Sequence, residues 1–312
     1  MKKHPLIWKS FADGIVFLFV GTALIPAIAQ DTGEVLPTSR GNWLYVGGNG
    51  PGNFTSIQDA IYHATDGDTI FVYNGTYYEN LLIDKKIYLL GEDLYNTIID
   101  GYQYEFVIIV IEKSNGTEIK GFTIRNTSVE GYGILINTGH QEITISNNLI
   151  RDCFYGIGSW HNTLLSINNN IINNTESGII LQFTDHSDIA SNQIINNSYG
   201  IIIDRSSCNS FYLNEIKNNE EIGLTLYRSW CNNIERNNFI ENGAGPKTQA
   251  GFLNCLNHFK GNYWSDRKSI PIPRIYAISG KFGDDWNPGS MIPWIQFDIR
   301  ADANPHPIEK FQ

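Results

Sequence analysis

The side chains best suited to bind a ligand recur at a nearly constant interval along the middle of the chain. A ring, an amide, a carboxylate and a phenol follow one another at spacings of 22, 22 and 23 residues: Trp160, Gln182, Asp204 and Tyr227. The residue after each of them is another ring or a cation: His161, Phe183, Arg205 and Arg228. Rings offer a flat contact surface to a pyranose, and the polar groups can hydrogen-bond to its hydroxyls. The pattern is that of a sugar-binding surface, and an ordinary solvated face is the alternative.

We call the recurring residues Trp160, Gln182, Asp204 and Tyr227 the column. Catalysis on this surface would require more acidic groups than the single carboxyl group that the column contains. A glycoside hydrolase uses two carboxyl groups roughly 5–9.5 Å apart, and a calcium-dependent lyase needs clustered acidic ligands and a base. Gln182 and Tyr227 flank Asp204, so an acidic partner would have to come from a turn. The candidates are Asp185, Asp188, Asp204 and Arg205. We expect a non-catalytic protein without a cofactor, with Ca²⁺ needed only by a lyase.

These side chains belong to a repeat that covers residues 131–242. Five glycines, each followed by an aliphatic residue, lie 23, 22, 22 and 23 residues apart: Gly133, Gly156, Gly178, Gly200 and Gly223. Four asparagines run in phase with them, 22 residues apart: Asn148, Asn170, Asn192 and Asn214. Asn238 and Asn262 continue the series less regularly, each 24 residues after the one before. A fixed period of this length indicates stacked supersecondary units.

Each unit is filled by short strands. The segments between the markers alternate, are rich in β-branched residues and are too short for a helix. Three strands with their turns fit into one period, which predicts an all-β fold: a right-handed, single-stranded parallel β-helix of about 22–24 residues per coil. An Asn side chain can hydrogen-bond to backbone groups at a tight turn, so the in-phase asparagines predict a ladder in one corner. Alternation places the fourth residue after each glycine, Trp160 for example, on the outside.

Two cysteines occupy the same position on adjacent coils. Cys208 and Cys231 are both the eighth residue after their glycine, so their Cα atoms should lie about 4.8 Å apart. That separation and a secreted location allow a disulfide. In-register stacking often gives the wrong dihedral angle, however, and we expect two stacked thiols in preference to a bond. Cys153 and Cys255 are predicted to be lone buried residues.

The N-terminal segment is predicted to be a targeting sequence. Lys2, Lys3 and Lys9 precede an apolar stretch, and an Ala-x-Ala sequence ends at Ala29. This arrangement is typical of a secretory signal peptide over residues 1–29, with an uncleaved anchor as the alternative. Residues 30–43 are predicted to be a flexible leader. The chain would then be secreted or held at the cell surface, with cleavage near Ala29.

The β-helix is predicted to cover residues 44–266 as one domain, with a cap at each end. Residues 55–64 have one apolar face, and Thr55 and Gln58 have capping-box spacing, which predicts a helix over the first coil. Residues 267–312 lose the period and contain six prolines. Because proline cannot continue a central sheet, this segment is predicted to be an irregular C-terminal cap.

The net charge of −10 restricts the partners. Removal of residues 1–29 takes away three lysines and one aspartate, which changes the charge to −12. An acidic surface disfavours nucleic acid, anionic lipid and, without a bridging metal ion, acidic polysaccharide. No later segment is apolar for long enough to span a membrane. We expect a monomer that binds polysaccharide or cell-envelope glycan.

Several short motifs resemble the opening of pectate-lyase-like right-handed β-helix proteins: Ile57–Ile61 (IQDAI), Gly67–Ile70 (GDTI), Asn74–Tyr77 (NGTY), Leu90–Glu92 (LGE), Ile99–Gly101 (IDG) and Ile119–Ile124 (IKGFTI). The chain is most similar to the branch of carbohydrate-binding proteins and sugar hydrolases that includes the NosD-type periplasmic β-helix. Gly261–Asp266 (GNYWSD) resembles the end of the NosD-type helix. The resemblance implies a secreted or surface β-helix repeat protein that binds polysaccharide or helps to build the envelope. Its alternative implication is a secreted polysaccharide lyase or glycoside hydrolase.

The NosD-type resemblance also implies copper, which the residues do not favour. Soft Cu(I) sites use clusters of methionine or cysteine. The methionines are Met1, inside the predicted signal peptide, and Met291, in the proline-rich tail. His140, His161 and His186 occupy different positions in their repeats. The sequence therefore predicts no metal site.

Overall fold

The computed structural model describes residues 41–111, 113–243, 250–253, 257–265, 275–282, 292–299 and 304–307. The predicted signal peptide and the leader up to residue 40 lie outside this part of the chain. At residues 41–43 the prediction of a flexible leader is corrected, because these residues are held on the first coil. The N–H of Gly41 donates to the carbonyl of Gly67 at 2.7 Å, and the N–H of Asn42 donates to the carboxylate of Asp68 at 2.7 Å.

Short parallel strands wind the chain into a solenoid with three sheets. Sheet A contains Leu81–Ile83, Phe106–Val110, Tyr132–Ile136, Tyr155–Trp160, Ser177–Gln182, Tyr199–Asp204, Ile222–Tyr227, Ala250–Leu253 and Ile275–Phe282. Sheet B contains Trp43–Val46, Asp68–Val72, Ile87–Gly91, Glu118–Lys120, Thr144–Ser146, Ser166–Asn168, Asp188–Ala190, Ser210–Tyr212, Asn233–Glu235, His258–Lys260 and Ile292–Ile299. Sheet C contains Gly75–Tyr78, Thr97–Asp100, Thr123–Arg125, Leu149–Arg151, Ile171–Asn173, Gln193–Ile195, Glu215–Lys217, Asn238–Ile240 and Tyr263–Trp264.

Each strand pairs in parallel with the equivalent strand on the next coil. The solenoid has about nine turns of about 23 residues, and very little of the chain is helical. This architecture confirms the predicted all-β parallel β-helix and the coil length that the repeat indicates.

The register of sheet A explains the glycines of the repeat. Ile157 and Ile179 are Cα partners on adjacent coils, so the glycines that precede them lie one above the other. A Cβ atom added to Gly178 would lie 2.7 Å from the carbonyl oxygen of Gly200 and 2.6 Å from a methyl group of Ile194. Both separations are well below van der Waals contact. The strand therefore passes too close to its neighbours at this point for any residue larger than glycine.

Inward-facing aliphatic side chains fill the solenoid. Each sheet contributes a column of buried residues, and in sheet C the column is Ile150, Ile172, Ile194 and Ile216. Full burial of one such side chain contributes about 1.5–3 kcal/mol. Near the C-terminal end, rings replace the aliphatic residues: Phe239 and Trp264 stack with their centroids 4.2 Å apart. The core is thus built coil upon coil from the residues that alternate inward along each strand.

Each regular coil turns at four residues with positive φ. In one coil these are Asn169 (54°), Asn174 (53°), Phe183 (50°) and His186 (53°). A left-handed residue changes the direction of the backbone within one step. The residue after each of them is buried and polar: Asn170, Thr175, Thr184 and Ser187. The four corners therefore combine an accessible left-handed residue with an inward-facing hydrogen-bonding side chain.

The four asparagines that recur every 22 residues form the predicted ladder inside one corner of the solenoid. Asn148, Asn170, Asn192 and Asn214 are fully buried. Each amide Nδ2–H donates to the Oδ1 of the next asparagine at 3.0–3.2 Å, and the same Oδ1 accepts the backbone N–H of the asparagine before it. The ladder continues through Asn237 and Asn262. The prediction that Asn238 continues the series is wrong by one residue. Asn237 holds that place in the ladder, and the Asn238 amide donates instead to the carbonyl of His306 at 2.8 Å.

Two further ladders, which the sequence did not predict, occupy other corners. One consists of Asn209, Asn232 and Asn257. The other consists of Asn197, Asn219 and Asn242. Each begins beside a hydroxyl residue on the preceding coil, where Ser187 or Thr175 holds the equivalent position and bonds to the first asparagine. The solenoid is therefore fastened at three corners by stacked amides.

A short helix covers the N-terminal end of the solenoid. It spans Ile57–His63, so the predicted bounds of 55–64 are corrected at both ends. The N-cap is Ser56 and not Thr55: the Ser56 hydroxyl accepts the N–H of Asp59 at 3.3 Å. The apolar face packs on the first coil through Ile57 and Ile61, which are fully buried.

A carboxylate from the first coil completes the cap of this helix. Glu79 accepts hydrogen bonds from the backbone N–H groups of Ile57 and Gln58 and from the hydroxyl of Ser56, each at 2.9 Å. Gln58, predicted to close a capping box, bonds instead to the backbone of Leu82 through both ends of its amide. The cap residue lies 23 residues from Ser56 in sequence, so local spacing could not identify it.

The C-terminal segment contains two strands where an irregular cap is predicted for residues 267–312. Ile275–Phe282 and Ile292–Ile299 pair with each other in an antiparallel hairpin, and each also pairs in parallel with the last coil. The prediction is corrected for these stretches. Within the described part of the chain, no helix is long and apolar enough to span a membrane.

Candidate functional site

The predicted ligand-binding residues lie in register along the outer edge of sheet A. Trp160, Gln182, Asp204 and Tyr227 are successive Cα partners at the ends of four strands. All four are half-buried, while the residue before each of Gln182, Asp204 and Tyr227 is fully buried in the core. The alternation of the strands therefore turns this column outward.

The left-handed residues that follow the column, together with Tyr227 of the column itself, form a ridge of rings and cations, which we define as His161, Phe183, Arg205, Tyr227 and Arg228. The rings of His161 and Phe183 stack with centroids 4.3 Å apart and an interplanar angle of 4°. The Arg205 guanidinium lies 5.3 Å from the centre of the Phe183 ring and 5.9 Å from that of Tyr227. Arg228 lies 5.0 Å from the Tyr227 ring. Cation–π contacts thus join the stacked rings into one continuous surface across four coils.

A shallow depression of about 360 Å³ lies beside the first part of the ridge. Thr138, Trp160, His161, Gln182 and Phe183 line it. The ring of Trp160 makes an edge contact with Tyr132, with centroids 5.8 Å apart and planes at 85°. The depression combines three rings with an amide and a hydroxyl, which can position a small polar group.

Asp204 is the one carboxyl group of the column, and burial raises its pKa. The positive charges of Arg205 and Arg228 oppose this effect without cancelling it. One oxygen of Asp204 lies 3.2 Å from Arg205 Nη1, whereas Oδ1 is buried and has no hydrogen-bond partner. The indole Nε1 of Trp160 is also buried without a partner. Unpaired buried polar atoms are rare in folded proteins, and both of these lie in the same column.

The structure distributes the catalytic candidates over two sheets. Asp204 is the last residue of a strand in sheet A, and Arg205 follows it. Asp188 is the exposed first residue of a strand in sheet B. Asp185 lies in the turn between the sheets, where its carboxylate accepts the N–H of Ser207. Among the residues that the structure describes, no group of three or more His, Cys, Asp or Glu side chains is placed to hold a metal ion.

The cysteines differ in their surroundings. Cys208 and Cys231 are exposed free thiols at the same left-handed corner of adjacent coils, with φ of 58° and 57°. Cys153 is a free thiol in the core, and burial raises its pKa to about 12. Cys255 lies outside the described residues.

A larger groove on sheet B has no counterpart among the predicted sites. It has a volume of about 620 Å³, and its lining includes Phe71, Glu92, Tyr95 and Lys120. The carboxylate of Glu92 accepts the N–H of Asn74 at 2.8 Å, so this side chain stabilises the turn that contains Asn74. The groove arises where the early coils are irregular, and the regular repeat therefore contains no signal for it.

The chain was compared with known proteins. The sequence model of NosD, described as a periplasmic copper-binding protein, matches residues 62–269. A search of curated proteins gave no match.

Several solved structures are similar in fold. Pectate lyase Pel9A is 16% identical, with a TM-score of 0.44 and coverage of 73% of this chain and 70% of that one. A pectin methylesterase from carrot is 15% identical, with a TM-score of 0.36 and coverage of 70% and 83%. The catalytic domain of a GH87 α-1,3-glucanase in complex with nigerose is 12% identical, with a TM-score of 0.47 and coverage of 73% and 56%. These likenesses concern the fold and carry no statement about activity.

The family match extends over two thirds of the chain, from the capping helix to the last complete coil. It confirms the NosD-type resemblance that the motifs indicate. The chain belongs to the NosD family of parallel β-helix proteins.

Proposed function

We propose that the protein is a non-catalytic solenoid that binds a polysaccharide along the ridge and the adjoining column of sheet A. The observation that carries this proposal is the continuous stack from His161 to Arg228, which lies at the surface of four successive coils. Coils are spaced at about 4.8 Å, so the ridge extends for roughly 14 Å and can contact several sugar rings at once. A flat, elongated surface suits a chain better than a single small molecule.

The unpaired polar atoms of the column support a hydroxyl-rich ligand. A buried donor or acceptor without a partner costs about 1–3 kcal/mol. Trp160 Nε1 lacks an acceptor and Asp204 Oδ1 lacks a donor. A sugar hydroxyl can act as donor and as acceptor, so one chain could satisfy both atoms after small side-chain rotations. Exposed rings alone would not distinguish a sugar from an apolar partner, and the unpaired atoms favour the sugar.

The charge of the surface favours a neutral polysaccharide. The whole chain has a net charge of −10, which repels polyanions. Arg205 is paired with Asp204, so part of the positive charge on the ridge is already neutralised. Binding of a neutral glycan should depend little on salt, whereas binding of an acidic one through Arg228 would weaken as salt rises.

Binding to a panel of soluble polysaccharides tests the proposal. We expect Trp160→Ala and Phe183→Ala each to weaken binding by at least about fivefold, because loss of an aromatic contact costs on the order of 1 kcal/mol. Tyr212→Ala is the matched control: Tyr212 lies on sheet B and is 40% exposed, against 39% for Phe183. Equal loss in all three variants, or no binding to any glycan by the unaltered chain, would refute the proposal.

The raised pKa of Asp204 favours one alternative, a polysaccharide lyase or glycoside hydrolase. A carboxyl group with a raised pKa is suited to act as a general acid. The column supplies no second carboxyl group, however, and a hydrolase would need Asp185 to come near Asp204. Assays for new reducing ends and for unsaturated products decide between the two functions. Turnover that disappears in Asp204→Asn would establish the enzyme.

We also propose that the chain acts outside the cytoplasm as a monomer. The family description as periplasmic supports this location. Export would use the signal peptide predicted for residues 1–29, which lies outside the described residues. The mass of the N-terminal peptide of the exported protein tests cleavage near Ala29, and sedimentation of the purified chain tests the monomer.

A further inference from the structure

The chain contains six Asn-x-Ser/Thr motifs, and the proposed sugar-binding surface uses none of them. A motif of this kind is the acceptor of N-linked glycans in exported proteins. The transferring enzyme must reach the amide nitrogen of the asparagine and must recognise the hydroxyl two residues later. The exposure and the hydrogen bonds of these two side chains therefore separate usable motifs from unusable ones. The six asparagines are Asn53, Asn74, Asn115, Asn126, Asn173 and Asn196.

In two of the motifs, the fold holds the amide of the asparagine itself. The amide of Asn53 donates to the carbonyl of Gly47 at 2.6 Å, and that of Asn126 donates to the carboxylate of Asp100 at 2.8 Å. Both asparagines are half-buried. A sugar replaces one of the two hydrogens on Nδ2 and needs space beside it, which a half-buried and bonded amide does not offer. These two asparagines are therefore poor acceptors.

In two other motifs, the hydroxyl is turned into the solenoid. Thr117, in the motif of Asn115, is fully buried, and its hydroxyl donates to a backbone carbonyl at 3.2 Å. Thr175, in the motif of Asn173, is also buried, and its hydroxyl donates to the Oδ1 of Asn197 at 2.8 Å. The latter bond belongs to a ladder, so exposing this hydroxyl would break a link between coils. An enzyme could not recognise either motif in the folded chain.

The remaining two motifs are accessible at both positions. Asn196 is exposed and Ser198 is half-buried, and neither side chain has a hydrogen-bond partner among the residues that the structure describes. Asn74 and Thr76 are both exposed. The side chain of Asn74 is bonded through Oδ1, which accepts the hydroxyl of Thr97 at 3.1 Å, so its Nδ2 stays available.

We propose that Asn74 and Asn196, and not the other four asparagines, carry N-linked glycans. The donor is an oligosaccharide attached to a lipid phosphate. The amide Nδ2 forms a bond to the anomeric carbon of this sugar and gives up one proton, while the bond from that carbon to the phosphate oxygen breaks and the lipid phosphate leaves. The proposal rests on the proposed location outside the cytoplasm and does not depend on the ridge.

A glycan on Asn196 would leave the ridge accessible. Asn196 is a left-handed corner residue, with φ of 57°, between a strand of sheet C and the strand Tyr199–Asp204 of sheet A. The ridge begins after the last residue of that strand. Five steps of about 3.3 Å make the strand roughly 16 Å long. The modification site and the ridge therefore lie at opposite edges of sheet A.

Glycopeptide mass spectrometry of the full chain, isolated from its own host, tests the proposal. We expect added sugar mass on the peptides that contain Asn74 and Asn196, and none on the peptides of the other four motifs, which serve as internal controls. Thr76→Ala and Ser198→Ala keep both asparagines and remove one recognised hydroxyl each. Each variant should lose the sugar at its own site and keep it at the other.

The next coil offers a gain-of-site variant. Asn218 lies at the same corner as Asn196, is exposed and has a similar φ of 53°, but the residue two positions later is the exposed Glu220. Glu220→Ser therefore completes a motif with the geometry of Asn196. We expect this variant to carry a third glycan, on Asn218.

Three results would overturn the proposal. Equal modification of all six motifs would show that the folded structure does not select the acceptors. Unmodified Asn74 and Asn196 in chain recovered from outside the cytoplasm would refute the glycans and leave the proposed location standing. Recovery of an unmodified chain from the cytoplasm would refute the location together with the glycans.

Discussion

At the scale of single residues, the column on sheet A shows which site features a repeat can predict. Trp160 and Asp204 were placed outside by the alternation of the strands, and the structure has them there. The stack of His161 on Phe183 was not predicted, because both residues are left-handed and leave the regular alternation of the strand. The unpaired atoms of the column depend on packing between coils. Sequence spacing therefore finds the members of the site, and only the folded chain shows their contacts.

The electrostatics of Asp204 give a prediction at this scale. Burial raises its pKa above the ordinary value of 3.8, although Arg205 and Arg228 oppose the shift. Asp204 is therefore easier to ionise in the unfolded chain, and the native state loses stability as pH rises from 3.8 through the raised native pKa. We expect Asp204→Asn to raise the melting temperature at pH 7 by a few degrees, since each kcal/mol shifts it by about 2–4 °C in a chain of this size.

The pH dependence of the difference separates this cause from a general effect on packing. Well below pH 3.8 the carboxyl group is mostly protonated in both states, so the melting temperatures of the variant and the unaltered chain should converge there. Asp188→Asn is the control, because Asp188 is exposed on sheet B and substitutions at exposed positions usually change stability little. A difference in melting temperature that stays the same from pH 3 to pH 7 would show that ionisation is not its cause.

At the scale of the elements, the asparagine ladders hold successive coils together. Asn192 donates to the carbonyl of Ile167 and to the Oδ1 of Asn214, and it accepts both the backbone and the side-chain N–H of Asn170. Only the first ladder was predicted, because its members are asparagines at a constant interval of 22 residues. The other ladders contain three asparagines each, at intervals of 22 and 23 residues in one and 23 and 25 in the other, and a hydroxyl residue, Thr175 or Ser187, holds the equivalent position on the coil before them. A search for a constant interval therefore misses them.

We expect Asn192→Ala to lower the free energy of unfolding by about 3–5 kcal/mol. The change leaves a buried N–H and a buried carbonyl without this partner, each of which costs about 1–3 kcal/mol, in addition to the loss of the amide contacts. Asn168→Ala is the matched control from the preceding coil, where the half-buried side chain of Asn168 bonds to Ser166 and Asn169, both near it in sequence, and belongs to no ladder. Urea unfolding measures both. Similar losses in the two variants would show that the ladder has no special role in stability.

The helix cap gives a second prediction for an element. Glu79→Ala removes the acceptor of three hydrogen bonds at the start of the helix. We expect faster hydrogen exchange over Ile57–His63 and a loss of about 1–3 kcal/mol, since hydrogen bonds to charged groups contribute more than neutral ones. Glu92→Ala, which removes one bond to a turn, should leave exchange in the helix unchanged. Unaltered exchange in the Glu79 variant would mean that Ser56 alone caps the helix.

At the scale of the whole molecule, the middle of the chain was predictable and its ends were not. Each regular coil contacts only its neighbours and repeats the same core and corner residues, so the period in the sequence is also the period of the structure. The ends have no such repetition. The bounds of the capping helix depend on Glu79, and the antiparallel hairpin of the C-terminal segment follows from pairing with the last coil, not from its own composition.

Coil duplication tests this one-dimensional organisation. A second copy of residues 170–191, one period of 22 residues, inserted after Ser191 keeps every corner in phase. We expect a monomeric protein with a stronger β-sheet circular dichroism signal and a melting temperature at least as high as before. Insertion of residues 170–180 alone, half a period, should give an aggregated or much less stable product. If the two insertions gave equally stable monomers, the in-phase stacking of corner residues would not be what holds the coils together.

The asparagine ladders also give the molecule a polarity. From Asn148 to Asn237, the bonds between side-chain amides all run one way: each amide donates to the Oδ1 of the next asparagine on the C-terminal side. Aligned amide dipoles strengthen one another, much as peptide dipoles do along an α-helix. The two ends of the ladder are therefore chemically different: at the first, the Oδ1 of Asn148 accepts the backbone N–H of Phe122, whereas at the last, the amide of Asn262 donates to the carbonyl of Ile234. A cap from one end could not replace the cap of the other.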